Sequence, residues 1–512
     1  MLDERLAIAL AAWPADRPAV VDEEQTPPRV VTFGEHRAMI DRYRDGLTDL
    51  GVGRGHLVPL LARQTPESVA VICALLLEGA AFCFLSERFE PADRRVLIER
   101  MNPVGLITDD YGATLLDDSD RDMFPLIRLH PGGLDAPVNA PGTGSAAFDD
   151  IAEAHFSSGS TGAPKAVLGT RDGLEHFADV QIAGSGVTAV DRLLCIVGFS
   201  SNLGLVQIFT ALFSGAALHL SRARGKELGD VIRRSGITGV GGSTPMWTAA
   251  LAEGSPDAPL FGDVPTLRYI FTGGLHMPRS RLRRLFTRLG PDVTVYEIYG
   301  QAEVRQMTHF PINAPEHQHR IDSVGRTVEG SVLFVAIDEN TVAPSGTVGE
   351  IAHIGPGIMR GYLGEPALTT AQLRTHRAFP GRTVVYTGDL GYQDDDGYIF
   401  LTGRASRVIT LDDGTWLWPD DVESALADAH PEVVDAVAVG LRIADRPVVA
   451  VAVVASGGVT AADLRTSLIS ALPAPTVLHH LALWAQLPTT PNGKPAVARI
   501  ATMLAAEIEG PR

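Results

Sequence analysis

Short runs rich in Val, Ile and Leu recur between helical patterns, and this alternation limits the fold more than any other feature. Such runs lie at residues 193–197, 217–220, 238–241 and 269–271. Strands separated by helical segments predict an α/β protein with parallel sheets and helices packed on them. From about residue 331 the pattern changes to shorter strands with turn residues, as in SVLFVAID, GEIAHIG and DGYIFLTG, so a β-rich subdomain is expected. A boundary falls at GRAS, residues 403–406. Beyond it come a short strand, an Asp/Gly turn, a helix opened by Pro419-Asp420-Asp421, the strand-like run VVAVAVVA and a last helix. This order predicts a small α+β domain over residues 404–512, behind a large N-terminal domain over residues 1–403; 512 residues are too many for one ordinary core.

Composition narrows the partners. There are 61 acidic and 43 basic residues, a formal net charge of -18. So acidic a surface disfavours nucleic acid and anionic membranes. Cys73, Cys83 and Cys195 stand in apolar stretches with no CxxC pairing, so buried reduced thiols are expected rather than a zinc site or disulfides. The start, MLDERLAIALAAW, carries Asp3 and Glu4 where a secretory signal would be positive, and reads as an amphipathic helix. The most apolar run, 69–85, is interrupted by Glu78 and Gly79; it predicts a buried helix followed by a strand, not a membrane span. A reducing cytoplasm is the expected location.

The strongest local signal is FSSGSTGAPKAV at 156–167. Ser157, Ser158, Gly159, Ser160, Thr161 and Gly162 bring backbone N–H groups and hydroxyls close together, and Lys165 adds positive charge. A polyphosphate needs that arrangement, and a flexible Ser/Gly linker is the bland alternative. The segment does not fit GxxxxGK[ST]. It resembles the phosphate loop of the adenylate-forming superfamily, which includes acyl-CoA synthetases, adenylation domains of peptide synthetases, amide-forming ligases and luciferases. Further segments resemble that family's motifs in order: EGAAFCFLSERFEPADRR from Glu78, YEIYGQAEV, GEIAHIGPGIMRGYLGEPALT, YTGDLG, GYIFLTGR and PTTPNGKP. The resemblance covers nearly the whole chain.

The resemblance implies an ATP-dependent activation of a carboxylic acid to an acyl-adenylate, with release of pyrophosphate. Two anions must meet, so positive charge and a metal are required at the reacting centre. By the resemblance, the phosphate loop with Thr161 and Lys165 holds the phosphates, while Glu303 and Thr161 hold Mg2+. Gly274, Tyr299, Gly300, Gln301 and Ala302 border the nucleotide, with Tyr299 stacking on adenine. Asp389 takes both ribose hydroxyls and Arg404 the ribose or phosphate; a hinge salt bridge is the structural alternative for Arg404. Lys494 bridges the acid's carboxylate and the α-phosphate. The small domain, turning on a hinge at Ser406, carries it.

The acid is narrowed by resemblance as well. Asn202 stands where amino-acid activators carry an aspartate, and a neutral amide pairs poorly with a buried ammonium. An aryl or heteroaryl acid without a free α-amine is therefore expected. Leu203, Val206, Phe271, Gly273, Ile298, Gln306 and Met307 are the other expected pocket positions, with core packing as the plain alternative. The chain departs from the family after the hinge, in GRASRVITLDDGTWLWPDDVE: Ser406 replaces an acid, Thr410 a lysine, and Asp412 and Asp413 add negative charge. Ala302 and Leu275 are further departures. Acyl transfer to CoA or a phosphopantetheine carrier protein is expected, with transfer to a small amine as the alternative. A non-catalytic nucleotide or acyl-adenylate sensor would keep the fold without needing Lys494 and Glu303, both of which are present; a luciferase-like oxidative second step is a further alternative.

Overall fold

The computed structural model describes residues 2–135, 147–158, 164–253, 258–411, 414, 416–443, 446–471, 478–490 and 494–509. The apolar run at 69–85 shows how the interior is built. Thr65 caps the helix Pro66–Leu77 by accepting from the Ser68 N–H, and Pro66 stands where a missing N–H costs nothing. The helix is apolar nearly all round, so it has no face for water and lies inside. Gly79, at φ +78, turns the chain into the fully buried strand Ala81–Phe84.

Two eight-stranded sheets sandwich that helix. In the first, Pro18–Asp22, Ala217–Leu220, Arg192–Cys195, Gly239–Gly241, Tyr269–Gly273 and Thr294–Ile298 run parallel, and Arg29–Thr32 and Phe310–Pro311 are antiparallel edges. The second holds Ala81–Phe84, Leu57–Leu61, Leu106–Thr108 and Leu126–His130 in parallel. It also holds Ile151–Ser158, which pairs antiparallel with Pro164–Thr170. One core joins their facing sides through the helices Phe33–Asp49, Pro66–Leu77, Arg171–Ser185 and Asn202–Ser214. Separate clusters cover the two outer faces. The parallel sheets predicted from the apolar runs are thus present, with the helix layer between them shared.

The β-rich part follows. Ser323–Gly325, Ile399–Arg404, Val384–Gln393, Gly349–Ile354 and Val332–Ala336 form one antiparallel sheet. Beyond the 3-10 turn Ala405–Arg407, which contains Ser406, come Val433–Ile443, Arg446–Ala455 and Leu478–Leu483 in a three-stranded sheet. The helices Pro419–Ala429 and Ala461–Ala471 lie on one face and Val497–Glu509 on the other. This C-terminal unit contacts the helix Arg279–Leu289. The Ser280 hydroxyl donates to Asp428, and Arg281 Nη2 donates to the Val433 carbonyl at 2.9 Å.

All three cysteines are free and buried. Burial raises each thiol, Cys195 to about 12, so none is a nucleophile at neutral pH. Among the described residues, no helix is long and apolar enough to cross a membrane.

Candidate functional site

A tight hairpin organises the site. Gly300 pairs with Gln306 and Gln301 with Arg305, leaving Ala302, Glu303 and Val304 at the turn. A Cβ on Gly300 would lie 1.9 Å from the Arg305 carbonyl oxygen, so only glycine permits the close approach. Across from this hairpin, Asp389 and Arg404 face each other on paired strands. Arg404 Nε lies 2.8 Å from Asp389 Oδ1. Asp389 Oδ2 accepts from the Tyr299 hydroxyl at 2.8 Å and from Gln301 Nε2 at 2.7 Å. Gln301 also donates to the Thr387 carbonyl at 2.9 Å. Burial, and then the neighbouring carboxylate, push the Tyr299 phenol well up, so it stays a donor. Tyr299 is buried and tied to Asp389, and Arg404 makes an ion pair with that same carboxylate.

Glu303 is fixed from two sides. Its Oε1 accepts from the Tyr362 hydroxyl at 2.8 Å, and its carbonyl accepts from the Met359 N–H at 2.8 Å. Lys165, on the strand Pro164–Thr170 that follows the expected phosphate loop, holds its ammonium 5.5 Å from the Tyr362 ring. Gly159, Ser160, Thr161 and Gly162 lie outside the described residues; Ser157 and Ser158 close their strand, paired with Lys165 and Pro164.

The C-terminal unit delivers Lys494 to this place. A short bridge between Thr489 and Pro495, with the Thr490 N–H donating to the Lys494 carbonyl at 2.7 Å, presents the side chain. A Cβ on Gly274, at φ +88, would stand 3.8 Å from Lys494 Cε and 3.9 Å from Nζ. Burial and the nearby Arg404 lower the Lys494 ammonium, while Asp389 and Glu303 act to raise it. The lysine therefore shares its surroundings with three of the expected nucleotide-site residues, although they come from distant parts of the chain.

The expected acid pocket divides. Ser201 caps the helix Asn202–Ser214, placing Asn202 in its first turn. Asn202 Nδ2 donates to the Gln301 carbonyl at 3.4 Å, and its Oδ1 is buried with no partner. Gly273 pairs with Ile298, and Leu203 and Ile298 pack against the core that contains Phe271. Phe271 lies 5.9 Å from the Tyr296 ring and 5.8 Å from His309. Val206 is wholly buried. The Gln306 amide is satisfied internally by Gln181, Thr308 and His309. Met307 is wholly buried with Tyr299, Val304 and Leu333.

Several groups escaped the sequence reading. Tyr362 stands inside GYLGEP, where nothing local ties it to Glu303. Gln207 lies flat against Gly241, where a Cβ would come within 2.1 Å of its Nε2. Burial lifts the Glu297 carboxyl to about 8. Glu153 and Arg305 form a buried ion pair below the hairpin.

Residues 6–363 match the family model described as AMP-binding enzyme. Novobiocin biosynthesis protein H of Streptomyces niveus is 29% identical over 493 residues, covering 93% of this chain and 78% of that protein. Surfactin synthase subunit 2 of Bacillus subtilis (strain 168) is 26% identical over 476 residues, 91% of this chain; the match spans 13% of the relative's length. The amide bond synthetase McbA from Marinactinospora thermotolerans shares the fold, with a TM-score of 0.82 at 23% identity over 98% of this chain and 99% of that one. So does the o-succinylbenzoate CoA synthetase MenE from Bacillus subtilis in complex with its acyl-adenylate intermediate, with a TM-score of 0.80 at 22% identity over 97% of both chains.

Proposed function

The chain belongs to the AMP-binding enzyme family, the adenylate-forming ligases, and on that premise we propose that it adenylates an aryl or heteroaryl acid lacking a free α-amine. A carboxylate oxygen attacks the α-phosphorus of ATP, and the bond to the bridging oxygen breaks as pyrophosphate leaves. The observation that carries this reading is Lys494 from the C-terminal unit set beside Asp389, Arg404 and Glu303. A cation there offsets the charge that grows as two anions meet, in a site partly closed to water. Asp389, already held by three donors, is oriented to accept ribose hydroxyls, which would share or replace the bonds from Tyr299 and Gln301.

Mg2+ fits the donor set. Among the described residues no group of three or more His, Cys, Asp or Glu converges to cage a metal. The oxygen ligand on offer is Glu303, oriented by Tyr362. Mg2+ typically binds through one or two carboxylates together with phosphates and water. When bound, held by Glu303 and Thr161, it would supply charge neutralisation at the phosphates.

Asn202 supports the choice of acid. Its N–H faces the Gln301 carbonyl, leaving a buried neutral acceptor oxygen, which suits a hydroxyl or ring N–H better than an ammonium. The second half-reaction we assign to a thiol acceptor, CoA or a carrier protein, reached when residues 404–512 turn about Ser406. An amine acceptor is the second reading. It is favoured by Asp421 and Asp428 of the C-terminal unit, which act beside His276 together with an Asp420 already paired with Arg407, and whose charge disfavours an anionic acceptor. ATP–pyrophosphate exchange across aryl acids and amino acids, for wild type and Lys494→Ala, tests the first step. Exchange with amino acids alone would discard the aryl assignment. Comparing CoA, a pantetheine-loaded carrier and small amines as acceptors decides the second step.

A further inference from the structure

Beneath the hairpin that carries Glu303 lies a buried ionic staple. Glu153 sits on the strand Ile151–Ser158, whose end leads into the phosphate loop, and its side chain is 0% exposed. It pairs with Arg305, whose side chain is 2% exposed, on the returning limb of the hairpin. One strand period further on, His155 Nε2 donates to the Ala302 carbonyl at 2.9 Å, while its Nδ1 lies 3.3 Å from Glu153 Oε1. The chain is thus tied to the phosphate-loop strand on both sides of Glu303, through Ala302 before it and Arg305 after it.

The surroundings are shaped for this contact. Gly169, on the neighbouring strand, leaves the space: a Cβ there would lie 1.9 Å from Glu153 Oε1 and 2.2 Å from Arg305 Nη2. Arg305 adopts φ +60, a left-handed conformation that an L side chain takes at some energetic cost. Glu153 Oε2 and Arg305 Nη1 are buried without hydrogen-bond partners. An incompletely bonded buried ion pair is a poor stabiliser compared with apolar residues of similar shape. What the pair does supply is a specific contact between the two segments, Arg305 Nη2 with Glu153 Oε1.

We propose that Glu153 and Arg305, assisted by His155, are positioning residues that fix Glu303 relative to the strand Ile151–Ser158 and so control the affinity for MgATP. This rests on the proposed nucleotide role of Glu303. The test is equilibrium binding of MgATP without any acid, on wild type, Glu303→Gln, the double variant Glu153→Met/Arg305→Met, and the triple combination. The double variant is expected to keep or raise its thermal midpoint and to bind MgATP at least about tenfold more weakly. Glu303→Gln should weaken binding much less in that background than in wild type, because a misplaced carboxylate has less to lose. Unchanged MgATP affinity in the double variant, or an equal effect of Glu303→Gln in both backgrounds, would overturn the proposal. If the double variant does not fold, Arg305→Lys keeps the charge with a different reach and reads the same coupling to Glu303. A wild type that binds MgATP but exchanges pyrophosphate with no acid would count against the adenylation reading and leave this coupling measurable.

Discussion

Glu297 makes stability depend on pH in the direction opposite to most carboxylates. Burial lifts its carboxyl from the ordinary 4.5 to about 8. The folded protein therefore holds a proton that the unfolded chain has released. Stability linked to this group is fully present below pH 4.5 and is lost as pH rises through 8. At 1.36 kcal/mol per pH unit, the interval sets a ceiling of about 5 kcal/mol on the loss. The side chain is only half-buried, so solvent screening reduces it to roughly 2–3 kcal/mol. Glu297→Gln keeps the shape and removes the titration. It should change unfolding little at pH 5, by about 1 kcal/mol or less, and stabilise by roughly 2–3 kcal/mol at pH 8.5. Urea midpoints of both proteins at the two pH values measure the difference. An equal gain at both values, or no gain at pH 8.5, would refute burial as the force acting on this carboxyl.

Other outcomes follow from the same structure. Lys494→Ala should reduce ATP–pyrophosphate exchange by about 10²–10³-fold, the scale of losing one preorganised charge, while MgATP titration in the same variant shows binding largely retained. Asn202→Asp should introduce exchange with amino acids and depress it with aryl acids, read by the same assay across both panels. Tyr362→Phe frees Glu303 Oε1 and should raise the Mg2+ concentration needed for half-maximal exchange. Glu23 is a stability test remote from the site. Burial would raise its carboxyl, but His219, Ser235 and Arg234 outweigh that and hold it at about 2. Its contribution is present above pH 4.5 and lost as pH falls through about 2, so Glu23→Gln should cost about 3 kcal/mol at pH 7 and flatten the acid limb of the unfolding curve.

Local pattern carried most of the architecture. The Val/Ile/Leu-rich runs at 193–197 and 217–220, separated by a helical segment, pointed to parallel strands, and they became neighbours in a parallel sheet. The interrupted run at 69–85 similarly required a covered helix and strand, because Glu78 and Gly79 end the helix where the chain turns. The motifs that resemble adenylate-forming enzymes marked Asp389, Arg404, Glu303 and Lys494, since the spacing of residues within each segment is a property of the sequence itself.

Which residues meet across segments is another matter, because a one-dimensional pattern records period and polarity but not partners. Nothing in GYLGEP announces that the Tyr362 hydroxyl orients Glu303. Gln306 and Met307 lie just beyond the YGQAE segment, after Val304 and Arg305, yet the hairpin turns them into a satisfied amide network and a wholly buried cluster. Glu153 and His155 interrupt an apolar strand, and in sequence they look like flaws; only the return of Arg305 across the hairpin turns them into an ion pair and a backbone contact. The sequence by itself determined the α/β architecture and the chemical types present at the proposed nucleotide site, because both are written in local periodicity and motif. The tertiary structure alone decided which of those groups meet, because they come from segments far apart in the chain: beside Lys494, Arg404 joins burial in lowering the ammonium while Asp389 and Glu303 oppose it.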